Sequence, residues 1–502
     1  MIGLYTPEQM RQMDSYMIDG GIIAGYSLMK NAASAALEAV VGMIPDLYER
    51  QVVVVCGKGN NGGDGLCMLR MLHESGCNVK GVLMSDRLSG DALNAFEDAE
   101  ASGCVMEPFR GQALSGPGTV IIDALFGTGL SRELSGTYPD VIDAVNGSGA
   151  HVVSIDIPSG INGENGRVMG CAVRADETVT LQYLKPGLLL HPGRSFAGKV
   201  VTVSIDGRYP NPETSLYTLE KSDIRAWIPE QMPDDYKGKN GRALILAGSR
   251  NYSGAALMCS AAALRTGAGL TYCAIPYALK SQFSALPEAI SVPLGGTGED
   301  SWSYECCSAA KNLIRDKDVI CAGPGMGTIA DLELLADILR SGVPCVLDAD
   351  ALNCVSMNRE LLKLFHCGVV ITPHVGEMSR LTGKSVSDIQ SDYVGTAMDF
   401  SGRFHCVTVL KGATSCISNG TTCVLNTTGN PGLAKGGSGD VLSGIITALL
   451  ALKLEPFHAA SAGAYLLGAS AETALEMLKA RAMIAGDVIS AVRETLEKHF
   501  DF

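Results

Sequence analysis

Short apolar runs, most with no polar alternation, recur along the chain, and stretches with helical spacing separate most of them. The first series lies at residues 52–56, 79–84, 119–122, 152–155, 177–181 and 200–204, with helical patterns at 66–74, 93–101 and 139–145. An unbroken apolar run too short to be a helix is the mark of a strand buried on both faces. Strands alternating with helices predict a parallel or mostly parallel sheet covered by helices on both sides. A second series follows at 243–247, 319–321, 345–347, 369–371 and 407–410, with a helix over 254–266 and further helices from about Asp440. Between the two series, residues 206–241 lose the periodicity and carry Pro210, Pro212, Pro229 and Pro233, as a domain junction does. No strong internal repeat is visible. The pattern predicts two different α/β domains fused in one chain, over residues 1–212 and 213–502.

Composition narrows the function classes. At 502 residues with 46% hydrophobic and 18% charged positions, the chain has material for two large cores. A net charge of −14 argues against nucleic acid and anionic membrane as partners. Sixteen cysteines are scattered without C-x-x-C spacing, and several sit inside apolar runs, which suits buried thiols in a reducing compartment. Glu8, Arg11 and Asp14 interrupt the first helix, so no signal peptide is visible, and the longest apolar run, 444–452, is too short to span a bilayer. The expectation is a soluble, cytoplasmic protein.

Three strand ends of the first series carry the candidate chemistry. After the 52–56 run come Asn60, Asn61, Gly62, Gly63, Asp64 and Gly65, a glycine-rich strand-to-helix passage of the kind that presents backbone N–H groups to an anion. A tight turn needs the glycines but not two amides and a carboxylate, and the spacing is not G-x-G-x-x-G. After the 119–122 run stands Asp123, followed by Gly127, Thr128, Gly129, Leu130, Ser131, Arg132 and Glu133; after the 152–155 run come Asp156 and Ser159. Any one of these aspartates could be a turn or cap residue. In an open α/β sheet, however, strand ends face one crevice, so three together predict a shared pocket. Lys185 is equally compatible with that pocket and with a surface strand end.

In the second series, Asn430-Pro-Gly-Leu-Ala-Lys-Gly-Gly-Ser-Gly439-Asp440 opens an apolar helix. Successive glycine N–H groups and a helix dipole stabilise a phosphoryl oxygen in transfer, and Asp440 is placed to accept a proton from an attacking hydroxyl. The alternative is an N-capping aspartate. Four glycines within eight residues exceed what a cap needs. Gly325, in a Gly-Pro-Gly-Met-Gly loop, and the segment Lys411, Gly412, Ala413, Thr414, Ser415 follow two further strands, and His374 with Glu377 a third.

These motifs resemble two families. NNGGDG, DALFGTGLSRELSG, SIDIPSGING and LKPGLLLHPG are similar in order and spacing to NAD(P)H-hydrate epimerases over residues 1–207. From 216 onward, LAGSRNYSGAALMCSAAALRTGAGL, CAGPGMG, TPHVGEMSRLTG, LKGATS and NPGLAKGGSGDVLSGII resemble the ribokinase-like ADP- or ATP-dependent NAD(P)H-hydrate dehydratases. The resemblance implies a Rossmann-like three-layer αβα first domain and a ribokinase-like αβα second domain. It implies a potassium ion held by Asn61, Asp123 and Ser159, with the hydrate contacted by Asn60 to Asp64, Gly127 to Glu133 and Asp156, the last being the candidate acid–base group. In the second domain it implies hydrate contacts from Ala255, Gly325, His374 and Asp440, and adenine-nucleotide contacts from Lys411 to Ser415 and Gly439. Asp440 is the candidate catalytic base. Magnesium with the nucleotide and a homo-oligomer, a tetramer among the open states, belong to the same implication. Lys30, Val375 and Tyr236 stand where the families usually have Glu, Pro and His.

Together the halves suggest repair of hydrated NADH and NADPH: epimerisation of the R and S hydrates, then nucleotide-dependent dehydration of the S hydrate, with ADP as the expected phosphoryl donor, AMP and phosphate as products, and a phosphorylated intermediate. Two other readings stay open on the residues alone. One is a small-molecule kinase with an accessory N-terminal domain, and the other a nucleotide-binding scaffold.

Overall fold

Val52–Cys56 shows why the apolar runs are unbroken. In the computed structural model, which describes residues 1–500 apart from 86, 115, 117 and 477 and only the backbone of 499, this strand is fully buried. Val52, Val54 and Cys56 enter one core, and Val53 and Val55 enter another on the opposite face. Side chains alternate across a strand, so a sheet covered by helices on both sides needs apolar residues at every position.

The chain divides into two compact units, Gly3–Thr214 and Met1–Ile2 with Ser215–Phe502. The first unit holds seven strands in the spatial order Met106–Pro108, Val79–Leu83, Val52–Cys56, Val120–Ala124, His151–Ile155, Glu177–Leu181, Lys199–Val203, every neighbouring pair parallel. Helices Gly25–Met43 and Asn60–Glu74 cover one face, and Tyr138–Asn146 packs on the other. The strand order reverses between Val52–Cys56 and Val120–Ala124, the position where open α/β sheets leave a crevice at their carboxyl edge.

The second unit is built on an eleven-stranded sheet ordered Ile2–Gly3, Leu216–Thr218, Cys423–Asn426, Ser415–Ser418, Val407–Leu410, Val369–Ile371, Cys345–Leu347, Val319–Ala322, Arg242–Leu246, Leu270–Pro276, Ile290–Leu294. Ser415–Ser418 runs antiparallel to both neighbours. Its reversal point lies between Arg242–Leu246 and Val319–Ala322. The apolar run at 444–452 belongs to helix Ser438–Ala451, buried from Val441 onward. It lies so close to helix Ser253–Thr266 that a Cβ at Gly444 would fall 2.2 Å from the Cys259 carbonyl oxygen. No described helix is long and apolar enough to cross a membrane.

Three sequence expectations are amended. The helix after the first strand starts at Asn60, not near Leu66, so the glycine-rich passage is the helix's own first turns. Gly62 is required there by close approach, because a Cβ would lie 1.9 Å from the Gly57 carbonyl oxygen. Several strands lack an apolar run, among them the edge strands Met106–Pro108 and Ile290–Leu294, the latter with an internal proline, and the interior antiparallel strand Ser415–Ser418. Finally, the proline-rich junction is not empty of core. Tyr209 is buried and donates to Asp14 at 2.6 Å, and Ile224 and Ile228 join the second unit's core.

Candidate functional sites

The three strand ends singled out in the first unit belong to adjacent parallel strands, Val52–Cys56, Val120–Ala124 and His151–Ile155. They open on a cavity of about 460 Å³. Asn60, Asn61, Asp64, Gly127, Thr128, Gly129, Leu130 and Asp156 line it. Gly62 and Gly63 are buried beneath, against Gly57 and Met29, and Ser131, Arg132 and Glu133 are exposed beyond its wall.

Asp123 and Ser159 sit behind the cavity, both fully buried. The Asp123 carboxylate accepts from Ser159 Oγ at 2.6 Å, Ser154 Oγ at 2.7 Å, the Ser159 N–H at 2.9 Å and the Leu125 N–H at 3.2 Å. Burial pushes the Asp123 carboxyl up against these stabilising donors. Asn61 donates from Nδ2 to the Ile155 carbonyl at 3.3 Å, while its Oδ1 is buried with no hydrogen-bond partner in the described structure. An orphaned buried amide oxygen beside a buried carboxylate and hydroxyl is a donor set of hard oxygens, the kind an alkali or alkaline-earth cation takes.

Asp156 occupies the left-handed region, φ +69°, where a residue with a side chain is strained. Its Oδ1 accepts from Lys185 Nζ at 2.6 Å and its Oδ2 from the Thr128 N–H at 3.0 Å. Asp64 and Asp14 complete an acidic wall. Burial, then the charges of Asp156 and Asp14, push the Asp64 carboxyl well up; burial raises Asp14 as well, against the Tyr209 hydroxyl that donates to it. Asp14, Tyr209 and the burial of Lys185 were not legible beforehand, since one lies on an amphipathic helix and one in the junction. Lys30 lies over the Tyr26 ring, 4.6 Å from its centroid.

In the second unit the residues gather along the carboxyl edge of the sheet. Gly325, φ +61°, approaches Ala255 so closely that a Cβ there would lie 2.8 Å from the alanine's Cβ. His374 caps helix Val375–Thr382: its Nδ1 accepts from the Gly376 N–H at 2.9 Å, and Glu377 answers by accepting from the His374 N–H at 2.8 Å. This leaves Nε2 on an exposed ring. His374 also bridges in parallel to Lys411.

Lys411 Nζ donates to Asp348 Oδ1 at 2.9 Å and stands 3.9 Å from Glu377. Burial opposes its charge, but the Asp348 and Glu377 carboxylates outweigh that and hold it above the ordinary lysine value. A Cβ on Gly439 would lie 3.5 Å from Lys411 Nζ, so glycine there keeps the ammonium approachable. Gly412 packs under the Tyr393 hydroxyl, Thr414 is buried, and Ser415 starts the antiparallel strand. Asp348 was missed in the sequence, although it follows a buried strand just as Asp123 and Asp156 do.

Asp440 is not a cap. The helix starts after Gly437, φ +98°, with no side-chain cap bond, and the Asp440 carboxylate has no hydrogen-bond partner among the described residues. Burial, then repulsion from Asp348, pushes it up to about 7, with Lys411 pulling the other way. A carboxylate poised near neutrality next to a glycine-rich helix start suits a general base. Among the described residues no group of three or more His, Cys, Asp or Glu is placed to hold a metal ion.

Comparison with known proteins places both halves of the chain in known families. A family profile described as NAD(P)H-hydrate dehydratase matches residues 243–493, and one described as YjeF-related protein N-terminus matches residues 25–187. The bifunctional NAD(P)H-hydrate repair enzyme of Thermofilum pendens is 38% identical over 466 residues, covering 89% of this chain and 87% of its own. That of Coxiella burnetii is 34% identical over 502 residues, covering 98% and 99%. Among solved structures, the ADP/ATP-dependent NAD(P)H-hydrate dehydratase of Bacillus subtilis, co-crystallised with ATP and Mg2+, is 29% identical with a TM-score of 0.50, covering 57% of this chain and 100% of its own. A ribokinase-like superfamily protein of Enterococcus faecalis is 25% identical with a TM-score of 0.50, covering 58% and 98%. With both profiles matched in order and relatives aligned along nearly its whole length, the chain belongs to the bifunctional NAD(P)H-hydrate repair enzyme family, an epimerase half followed by a nucleotide-dependent dehydratase half.

Proposed function

We propose that the first unit interconverts the R and S forms of hydrated NADH and NADPH, and that the second dehydrates the S form at the expense of ADP. The observation that supports the second step most directly is the juxtaposition of Asp440, Lys411 and Gly439 at one helix start.

Hydroxide is a poor leaving group, so the C6 hydroxyl of the hydrate must first be converted. Its oxygen forms a bond to the β-phosphorus of ADP as the bond to AMP breaks, and its proton passes to the Asp440 carboxylate. Lys411 and the N–H groups around Gly439 offset the charge on the transferring group. The C–O bond then breaks with the electron pair leaving on phosphate, and loss of a proton from C5 restores the dihydropyridine. Ala255, Gly325 and His374 are the residues placed to hold the hydrate, and the Lys411 to Ser415 segment to hold the nucleotide. Magnesium would be held by the phosphates of the nucleotide together with water, and would supply positive charge to the transferring group.

In the first unit, Asp156 is the group assigned to the proton transfers of epimerisation, which accompany the breaking and re-forming of a bond at C6. Asn61, Asp123 and Ser159 are the residues assigned to potassium, whose positive charge would offset that of a diphosphate-bearing substrate. The unpartnered Asn61 Oδ1 supports this assignment. The sixteen free cysteines, thirteen of them buried, fit a reducing, cytoplasmic setting. A homo-oligomer, a tetramer among the open states, rests on the resemblance alone.

The test is direct. Incubating the protein with S-hydrated NADH and ADP should restore the absorbance of NADH and release AMP and phosphate in equal amounts. Return of absorbance without a nucleotide, or a stable phosphorylated product without it, would refute the scheme.

A further inference from the structure

We infer that Lys185 is the positioning residue of the epimerase site, holding Asp156 aimed into the cavity without itself binding substrate. The inference rests on the assignment of Asp156 to the proton steps.

Lys185 follows strand Glu177–Leu181, and its side chain is only 1% exposed. An ammonium has three N–H donors and no acceptor. All three are committed: to Asp156 Oδ1 at 2.6 Å, to the Leu181 carbonyl at 2.7 Å and to Thr180 Oγ1 at 3.0 Å. To bind a phosphate or carboxamide oxygen of the substrate, Lys185 would have to break one of these bonds. Lys185 borders the cavity, but a phosphate-binding lysine needs a free donor, and this one, 1% exposed, has none.

Asp156 gives the arrangement its purpose. Its backbone is held at φ +69°, a conformation that a residue with a side chain keeps only when its surroundings over-determine it. The surroundings here are two hydrogen bonds that the carboxylate accepts, one on each oxygen. Lys185 fixes Oδ1, and the Thr128 N–H fixes Oδ2 at 3.0 Å. The contact is close enough that a Cβ on Gly127 would stand 2.8 Å from Oδ2. Through the Asp156 carboxylate, Lys185 therefore also sets the position of the loop that begins at Gly127, which lines the same cavity. Removing the ammonium leaves a buried carboxylate with one neutral donor, and such a group turns towards solvent or takes a partner elsewhere.

The test uses the full chain with Lys185→Met, Asp156→Asn and both together, measuring kcat and KM for conversion of the R to the S hydrate, with dehydration of the S hydrate and the melting of each unit followed on the same samples. The expected result for Lys185→Met is a fall in kcat on the order of 10- to 1,000-fold with KM changed little, because general acid–base groups are worth about 10²–10⁴-fold and a misaimed one keeps part of that. Added to Asp156→Asn, it should cost nothing further in kcat. A rise in KM with kcat intact, or a full additional loss in the double variant, would overturn the inference and make Lys185 a substrate-binding residue. Should Asp156→Asn epimerise normally, the assignment of Asp156 fails instead, and the two failures are distinct. If Lys185→Met does not fold, Lys185→Gln carries the same test, since it keeps a donor and removes the charge.

Discussion

Lys411 and Asp348, 63 residues apart in the chain, meet at 2.9 Å at the carboxyl edge of the second sheet. Asp348 is buried and its other oxygen accepts from Ser443 Oγ at 2.8 Å, so without Lys411 this carboxylate has little access to water, although Lys411 itself is partly exposed. A buried ion pair adds little net stability over an apolar pair of the same size, but breaking it strands a charge at a cost of about 3–5 kcal/mol. Lys411→Met should therefore destabilise the second unit by roughly that amount and remove dehydration. The double variant Lys411→Met with Asp348→Leu should recover much of the stability and none of the activity. Denaturant melts of Lys411→Met, Asp348→Leu and the double variant check this, and additive losses would refute it.

Asp440 makes a pH prediction with a definite sign. Its folded value of about 7 lies above the ordinary aspartate value of 3.8, so the folded state binds the proton more tightly than the unfolded chain. The stability it contributes is present below about pH 4 and is lost as pH rises through 7. Asp440→Asn should thus match the wild type in acid and become the more stable of the two by pH 8, seen as crossing melting temperatures. The same replacement should lower dehydration on the order of 10²–10⁴-fold while nucleotide binding and epimerisation survive. In the wild type, kcat/KM for dehydration should fall below about pH 7, as the base takes up its proton. Dehydration within a few-fold of wild type in Asp440→Asn would remove the base assignment.

Potassium dependence offers a third check. Asn61→Leu keeps the side chain's volume, gives up one 3.3 Å bond to the Ile155 carbonyl and removes the orphaned Oδ1. If that oxygen is a cation ligand, the wild type should epimerise faster in potassium than in a bulky organic cation, and the variant should show no difference. A wild type indifferent to the cation would sink the assignment.

Much of both sites was legible because of one physical regularity. Chemistry in a doubly wound sheet sits just past buried strands, and Val52–Cys56, His151–Ile155 and Val407–Leu410 announce themselves as short, predominantly apolar runs. Residues that follow such runs, such as Asp156 and Lys411, could be found by position. Asp348 obeyed the same rule and was passed over although its strand, Cys345–Leu347, was among the predicted runs, because no glycine-rich loop follows it to draw attention. Asp14 and Tyr209 obey no such rule. They reach the cavity from a helix and from a proline-rich segment, and only the folded chain brings Tyr209 within 2.6 Å of Asp14, 195 residues earlier. Gly62 and Gly63 have a second reason to be glycine that the sequence did not show, since packing against Gly57 and Met29 leaves no room for a Cβ.

That long-range contact sets where the first unit ends. Prolines and charges at 206–241 suggest that a fragment could stop near Arg208, before Tyr209. The structure puts Tyr209 among Tyr5, Met10, Met13 and Met17 in a small core, with Tyr5 donating to Asn211 at 2.9 Å and Tyr183 to the Pro210 carbonyl at 2.8 Å. A fragment of residues 1–208 would lose that packing and leave Asp14 at the cavity wall without the hydroxyl that donates to it. A fragment of residues 1–214 keeps all of it. The longer fragment should fold and epimerise at close to the full chain's rate. The shorter should melt at least several degrees lower, since burying a large aromatic side chain is worth about 2–3 kcal/mol, and should lose affinity for the hydrate as its cavity opens. Tyr209→Phe in the full chain separates the two contributions, because it retains the ring and deletes only the bond to Asp14. Equal stability and equal rates in the 1–208 and 1–214 fragments would show that the junction begins where the prolines do, and that Tyr209 packs against the site without supporting it.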